Sequence, residues 1–295
     1  MTANDANRRF DRFLQAHLSQ ASKSLLHKLL RKKRIKLNGA RAHGNEITSE
    51  GDKVTLYLSQ ETYDSFSQKE HKTLVDWGTI DIVYEDDNIL LVNKQAGLLT
   101  HSDSSEPQDT LQERVAYYLQ SYQAAPCNRL DRNTSGLVVF GKNVPALQSL
   151  NAAFAERCVE KIYLALVHGR LEDKGELKGY LQRDSEAMRS HISDKEEGQF
   201  VHTEYEACKT SDEFSLLRVK IHTGRSHQIR AQFAALGHPL VGDVKYGGKA
   251  ISGKRGQFLH CLSLNFLDLS APLSYLSQKE LKTHIPEEFK FIGGL

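Results

Sequence analysis

Cysteine is scarce in this chain, with four in 295 residues, and proline, methionine and tryptophan number only six, two and one. Cys127, Cys158, Cys208 and Cys261 lie more than thirty residues apart with no Cys-x-x-Cys pair, which argues against a thiolate zinc site and against a disulfide framework. No apolar run approaches the length that spans a bilayer, and the opening MTANDANRRF has no apolar signal core. A cytoplasmic protein with reduced thiols and no membrane partner is therefore expected. There is no internal repeat or low-complexity tract, and 39% apolar with 26% charged residues is the balance of a folded protein rather than a disordered binder.

A net charge of +2 conceals an asymmetry. Residues 1–58 hold 12 Lys and Arg against 5 Asp and Glu, leaving 27 against 32 for the remainder. A basic end on a mildly acidic body suggests docking to a polyanion. Within that end, Phe10, Phe13, Leu14 and Leu18 recur at spacings of three and four, which predicts an amphipathic helix. Ser22 offers an N-cap for a second helix, with Leu25, Leu26, Leu29 and Leu30 as its buried stripe. Lys23, Lys28, Arg31, Lys32, Lys33 and Arg34 ring its exposed side; a merely solvated helix face is the plain alternative for such a cluster. Asn38-Gly39 marks a hairpin turn and GDKVTLYL a closing strand. Residues 59–78 are polar with little periodicity and read as a linker.

From residue 79 to 295 the chain is rich in strand signals. TIDIVYEDDNILLVNK reads as a hairpin, GLVVFGK, KIYLALVHG, FSLLRVKIHT and LSLNFLDL as further strands, and ALQSLNAAFAER and SHQIRAQFAALG as helices. They do not alternate regularly, so an α+β body with a mixed or antiparallel sheet is expected rather than a doubly wound one. Gly136-x-x-x-x-Gly141-Lys142 mimics a phosphate-binding loop, but Leu137 to Phe140 are a strand core and Asn143 replaces the Ser or Thr that would hold magnesium. His222 and His227 are spaced five apart, and their sequence neighbourhood offers no further metal ligands.

The stretch NRLDRNTSGLVVFGK, residues 128–142, sets Asp131 between two arginines at the mouth of an apolar strand. A surface ion pair is the ordinary reading of Asp beside Arg. Here the turn also offers backbone amides and the hydroxyls of Thr134 and Ser135, donors that would keep the carboxylate ionised as a nucleophile or base. The stretch resembles the HRLDxxTSGxxxxAK signature of the RluA family of pseudouridine synthases. VNKQAGLLTH, EKIYLALVHG and HTGRSHQIRAQFAALGHPLVGDVKYG resemble further family motifs in the same order, so the likeness spans residues 80–250. Asn128, Gln95 and Gln232 depart from the family pattern, and the C-terminal motif is represented only by LHCLSLNFLDL. Residues 8–58 resemble the S4 RNA-binding domain, an arrangement similar to the ribosomal RNA branch of the family, the RluC and RluD kind.

The resemblance implies an RNA isomerase that needs no metal, cofactor or nucleotide. It cuts the N1–C1′ bond of a uridine, turns the base and rejoins it through C5. Asp131 would be the catalytic carboxylate, adding to C1′ or removing the 2′ proton, with the family favouring the latter. Tyr163 would stack under the uracil and move the C5 proton, and Arg230 would pair with Asp131; a core tyrosine and a helix-surface arginine are the plain alternatives. Arg129 would fill the position vacated by the extruded nucleotide, Thr134, Ser135, His227 and Gln228 would lie on the substrate side, and the basic helix at residues 23–34 would bind RNA phosphates. Ribosomal RNA is the expected partner and a monomer the expected state. The competing readings are a transfer-RNA-directed enzyme, a non-catalytic RNA-binding or ribosome-assembly protein, and a glycosidase. The last is disfavoured because only one acid sits in such a motif.

Overall fold

The computed structural model describes residues 1, 5–67, 74–102, 108–171, 173–184, 189–193, 196–251 and 256–291. It divides into two compact units, residues 1–74 and 75–295.

In the first unit, α1 (Phe10–His17) buries Phe10, Phe13 and Leu14. Helix α2 (Lys23–Arg31) starts at Ser22, whose hydroxyl accepts from the Leu25 amide at 3.3 Å, and buries Leu26 and Leu30. Lys28 and Arg31 in its last turn favour the negative end of the helix dipole. Strands β1 (Ile35–Leu37) and β2 (Ala40–Arg41) form a hairpin, and β3 (Val54–Leu56) pairs on the other side of β1. Asn38 and Gly39 both take positive φ, 50° and 77°, as the two-residue turn requires. The segment expected to be a linker contains α3 (Gln60–Ser67), and Phe66 on it packs against the Phe10, Leu14 and Leu30 cluster. Its polar sequence QETYDSFS buries no residue fully, so it carries no apolar stripe to announce it.

The second unit is built on one eleven-stranded mixed sheet, an α+β architecture. Its strands are β4 (Ile82–Glu85), β5 (Ile89–Lys94), β6 (Ala125–Pro126), β7 (Ser135–Gly141), β8 (Val159–His168), β9 (Lys174–Asp184), β10 (Arg189–Ser193), β11 (Gln199–Thr210), β12 (Phe214–Ile221), β13 (Leu259–Phe266) and β14 (Lys279–Lys282). The spatial order is β10-β9-β11-β12-β8-β13-β7-β5-β4, with β14 on β13 and β6 on β7. Among the described strands only β7 and β13 run parallel. The helices are α4 (Leu111–Tyr118), α5 (Val144–Ala155), α6 (Gln228–Ala235) and α7 (Glu287–Phe291). Asn143, the residue that breaks the phosphate-loop pattern, caps α5 by accepting from the Ala146 amide at 2.9 Å.

The core follows from burial on both faces of the central strands. All seven residues of β7 are buried, and Ile89 to Val92 of β5 are fully enclosed, which is why both read as unbroken apolar runs. One row crosses this region in register: Lys94 opposite Gly136, Gly136 opposite Cys261, Cys261 opposite Tyr163, and Tyr163 opposite Val219. Residues paired across strands share a face, so Lys94 and Tyr163 stand on the same side with Gly136 and Cys261 between them. A Cβ at Gly136 would overlap the backbone of Cys261, and its φ of 109° is one that L side chains rarely adopt. No described helix is long and apolar enough to cross a membrane.

Candidate active site

The turn ahead of β7 is pinned on both sides of Asp131. Thr100 donates its hydroxyl to the Leu130 carbonyl at 3.1 Å and accepts from the Leu130 amide at 3.2 Å. The Thr134 amide closes the turn on the Asp131 carbonyl at 3.0 Å. The Arg132 carbonyl accepts from the Gly97 amide at 2.8 Å and from Lys94 Nζ at 3.0 Å. Lys94 also donates to the carbonyls of Gln95 and Leu98, so a fully buried ammonium ties the end of β5 to this turn. Burial pushes that ammonium down to about 7, against the attraction of the Asp131 carboxylate.

Arg230, on α6, reaches the turn from the other side. Its Nη1 donates to Asp131 Oδ2 at 2.9 Å, while Nε and Nη2 form a fork on Asp243 at 2.6 and 2.8 Å. Burial opposes its charge, but Asp243 and then Asp131 more than offset this, raising its affinity for the proton further. Its side chain is 8% exposed, Asp243 1% and Asp131 27%. The buried acid thus anchors the guanidinium, and the half-exposed one is left facing the cavity. Tyr246 stacks on the guanidinium at 4.8 Å from its ring centre. His227 holds a left-handed backbone, φ 62°, at the start of α6. Its Nδ1 lies 3.0 Å from the Tyr246 hydroxyl and its Nε2 3.7 Å from Asp131 Oδ2. Burial lowers its proton affinity, with Asp131 opposing, so the neutral imidazole is favoured.

Tyr163, Asp131, His227 and Arg230 line one cavity of about 430 Å³, and Arg129, Asp131, His227 and Arg230 also line a neighbouring one of about 570 Å³. Tyr163 is only 7% exposed, and burial, then its neighbour Cys261, holds its phenol protonated well above the ordinary range. Arg129 is exposed at the boundary of the two cavities, and Arg157, Lys161 and Arg225 add positive charge to the first.

Asp131, Tyr163, Arg230, Arg129 and His227 therefore come together. Of the other expected substrate contacts, Thr134 and Gln228 line the first cavity and Ser135 does not, and all three carry internal hydrogen bonds. The Thr134 hydroxyl accepts from Gln257 at 3.0 Å, and Ser135 shares a 2.8 Å hydrogen bond with buried His260; neither bonds the Asp131 carboxylate. Both are buried, Ser135 as the first residue of β7. The Gln228 amide is consumed by Thr223, Arg225, His202 and Thr203, holding the loop ahead of α6 in place. Asn128 lies beside β7, donating to the Leu137 carbonyl and accepting from the Val139 amide. Sequence reading missed Asp243, Lys94 and Tyr246; all three fall inside recognisable motifs, but nothing in the linear order says which charge pairs with which.

Comparison with known proteins agrees with this geometry. A family model described as RNA pseudouridylate synthase matches residues 88–235. An RNA pseudouridine synthase of Bacillus subtilis (strain 168), described as uncharacterized, is 30% identical over 86% of this chain and 86% of its own. Ribosomal large subunit pseudouridine synthase C of Rickettsia bellii is 32% identical over 85% of this chain and 87% of its own, and the D enzyme of Pseudomonas aeruginosa 28% identical over 97% and 91%. Among solved structures, human RNA pseudouridylate synthase domain containing 1 superposes with a TM-score of 0.58 at 29% identity, covering 70% of this chain and 84% of that one. The chain accordingly belongs to the RluA-type family of RNA pseudouridine synthases, and the reaction it carries out is the isomerisation of uridine to pseudouridine in RNA.

Proposed function

We propose that Asp131 is the carboxylate that acts on the ribose, and that the substrate is a structured ribosomal RNA. One observation carries the first part: Arg230 binds Asp131 through a single nitrogen because Asp243 takes the other two. Oδ2 of Asp131 is thereby fixed, while Oδ1 makes no hydrogen bond among the described residues and is free for C1′ or the 2′ proton. Isomerisation trades a C–N for a C–C bond with no net redox change, so one positioned carboxylate and one proton carrier at C5 meet its needs. Tyr163, a phenol in the same cavity held protonated by burial, has the flat face for stacking, and its oxygen can take the C5 proton once its own hydrogen has passed to the released N1 of the uracil.

The target nucleotide must leave its stack, at a cost of roughly a few kcal/mol. Arg129, exposed between the two cavities, is suited to take the vacated position. Binding elsewhere offsets the rest of the cost. The first unit, which we read as an S4-like domain, presents Lys23, Lys28, Arg31, Lys32, Lys33 and Arg34, all exposed, to RNA phosphates. Ribosomal RNA is favoured over transfer RNA because several relatives bear large-subunit names. The enzyme is read as a cytoplasmic monomer. Tritium release from RNA labelled at uracil C5 tests the assignment: Asp131→Asn should lower turnover by about 10³-fold or more and leave RNA affinity within about twofold. Turnover near that of the parent enzyme would refute it. Pseudouridine mapping in ribosomal RNA from cells with and without the protein tests the substrate.

A further inference from the structure

Outside the catalytic cluster, the open face of the sheet gathers four metal-ligating side chains from neighbouring strands. His202 and Glu204 stand on β11, Glu176 on β9, and His222 immediately follows β12. Sequence spacing gave His222 no partners beyond His227, yet the sheet places His202 against it: their rings stack at 4.1 Å, 15° from parallel. Glu204 Oε1 lies 3.0 Å from His222 Nε2 and 3.9 Å from His202 Nε2, and Glu176 Oε1 lies 2.6 Å from His202 Nε2. The donor atoms of His202, Glu204 and His222 all fall within 4.8 Å of one another.

Two further observations point to a cation here. Both Nε2 atoms are inaccessible to solvent, and each faces a carboxylate oxygen, that of Glu176 for His202 and of Glu204 for His222. Glu204 and Glu176 are paired directly across β11 and β9, where like charges destabilise a sheet. Lys178 answers Glu176 at 2.7 Å, but among the described residues Glu204 has only the imidazoles. Lys220 is already bound to Glu160.

We infer that His202, His222, Glu204 and Glu176 form a binding site for a divalent ion of the zinc class. Two imidazoles and two carboxylates suit such an ion better than magnesium or calcium, which take oxygen donors. Tetrahedral zinc, with bonds of about 2.0–2.2 Å, spaces its ligands by roughly 3.3–3.6 Å. Modest splaying of the two rings and release of Glu176 from His202 satisfy that spacing. The ion would lock β9, β11 and the end of β12 together. His222 lines the cavity that holds Asp131, and the loop it begins leads to His227, so the ion would also stiffen the approach to the reactive carboxylate.

The test uses the full-length protein, stripped by a chelator, dialysed and titrated calorimetrically with zinc chloride near neutral pH. One equivalent should bind with a micromolar or lower Kd and raise the melting temperature. Glu204→Gln and His222→Gln should each weaken binding by about tenfold or more. Circular dichroism melts confirm folding; half-exposed Glu204 carries the test alone should His222→Gln unfold. X-ray absorption at the zinc edge should show nitrogen and oxygen without sulfur. No uptake by the parent protein, unchanged uptake by Glu204→Gln, or sulfur in the shell, which would put the ion on a thiol such as exposed Cys208, would overturn the site.

Discussion

Arg230 is held by two acids of opposite character, and the division decides what each can do. Asp243 is sealed in and accepts two hydrogen bonds; Asp131 takes one and keeps an open side. Asp243→Ala should therefore cost about 3–5 kcal/mol in urea unfolding, because it leaves a buried guanidinium half paired, and should also reduce turnover by letting Arg230 drift. Tyr163→Phe keeps the ring but removes the hydroxyl, so RNA affinity should survive while C5 tritium release falls by about 10²-fold or more. His260 supplies a pH test. Burial, aided by His284, lowers its pKa to about 4 from 6.5, so the unfolded chain binds the extra proton between those values. The contribution of His260 to stability should drop as pH falls from 6.5 toward 4, by up to about 3 kcal/mol, and level off below; His260→Gln should make the profile less steep in denaturant melts across that range. At this scale the gathering of Asp131, Tyr163 and Arg230 in one cavity was legible because each sits in a short motif with recognisable neighbours. The internal hydrogen bonds of Thr134, Ser135 and Gln228 were not, since a hydroxyl or amide in a motif looks the same whether it faces a ligand or another side chain.

Among the elements, those with a clear apolar run or stripe were the easiest to read. The β4–β5 hairpin, β7, β8 and β12 appear where apolar runs place them, and α1 and α2 follow their stripes. Strands β9 and β11, eleven and twelve residues long, escaped notice because most of their residues are exposed or only partly covered, and KGELKGYLQRD has neither a continuous apolar run nor a clean alternation. Helix α3 was missed for the same reason, and α4 because LQERVAYY buries only Leu111, Val115 and Ala116. The parallel pairing of β7 with β13 could not be read locally, since its partners are more than a hundred residues apart. That pairing predicts its own weak point. Gly136→Ala should force β13 away from β7 and destabilise the enzyme by about 3 kcal/mol or more, seen as a lowered melting temperature and a fall in turnover together.

For the molecule as a whole, charge separates the tasks. Replacing Lys23, Lys28, Arg31, Lys32, Lys33 and Arg34 by Gln should weaken RNA binding and flatten its dependence on salt by roughly 0.7–0.9 logarithmic units for each phosphate that is no longer neutralised, as filter binding at several ionic strengths would show. Turnover at saturating RNA should change much less, because none of the six lines the cavities around Asp131. The fold class and the basic end were legible from composition and periodicity; the three-way pairing of Asp131, Arg230 and Asp243 waited on folding to join β7's mouth, α6 and the turn after it. The row from Lys94 through Gly136 and Cys261 to Tyr163 adds a constraint of its own. A slip of one residue in any of these pairings would send the phenol or the ammonium through to the opposite surface while leaving the apolar content of the strands unchanged. With Asp131 and Tyr163 in the roles proposed above, turnover becomes an assay of strand alignment: a misaligned conformer could keep its secondary-structure content, yet would make no product.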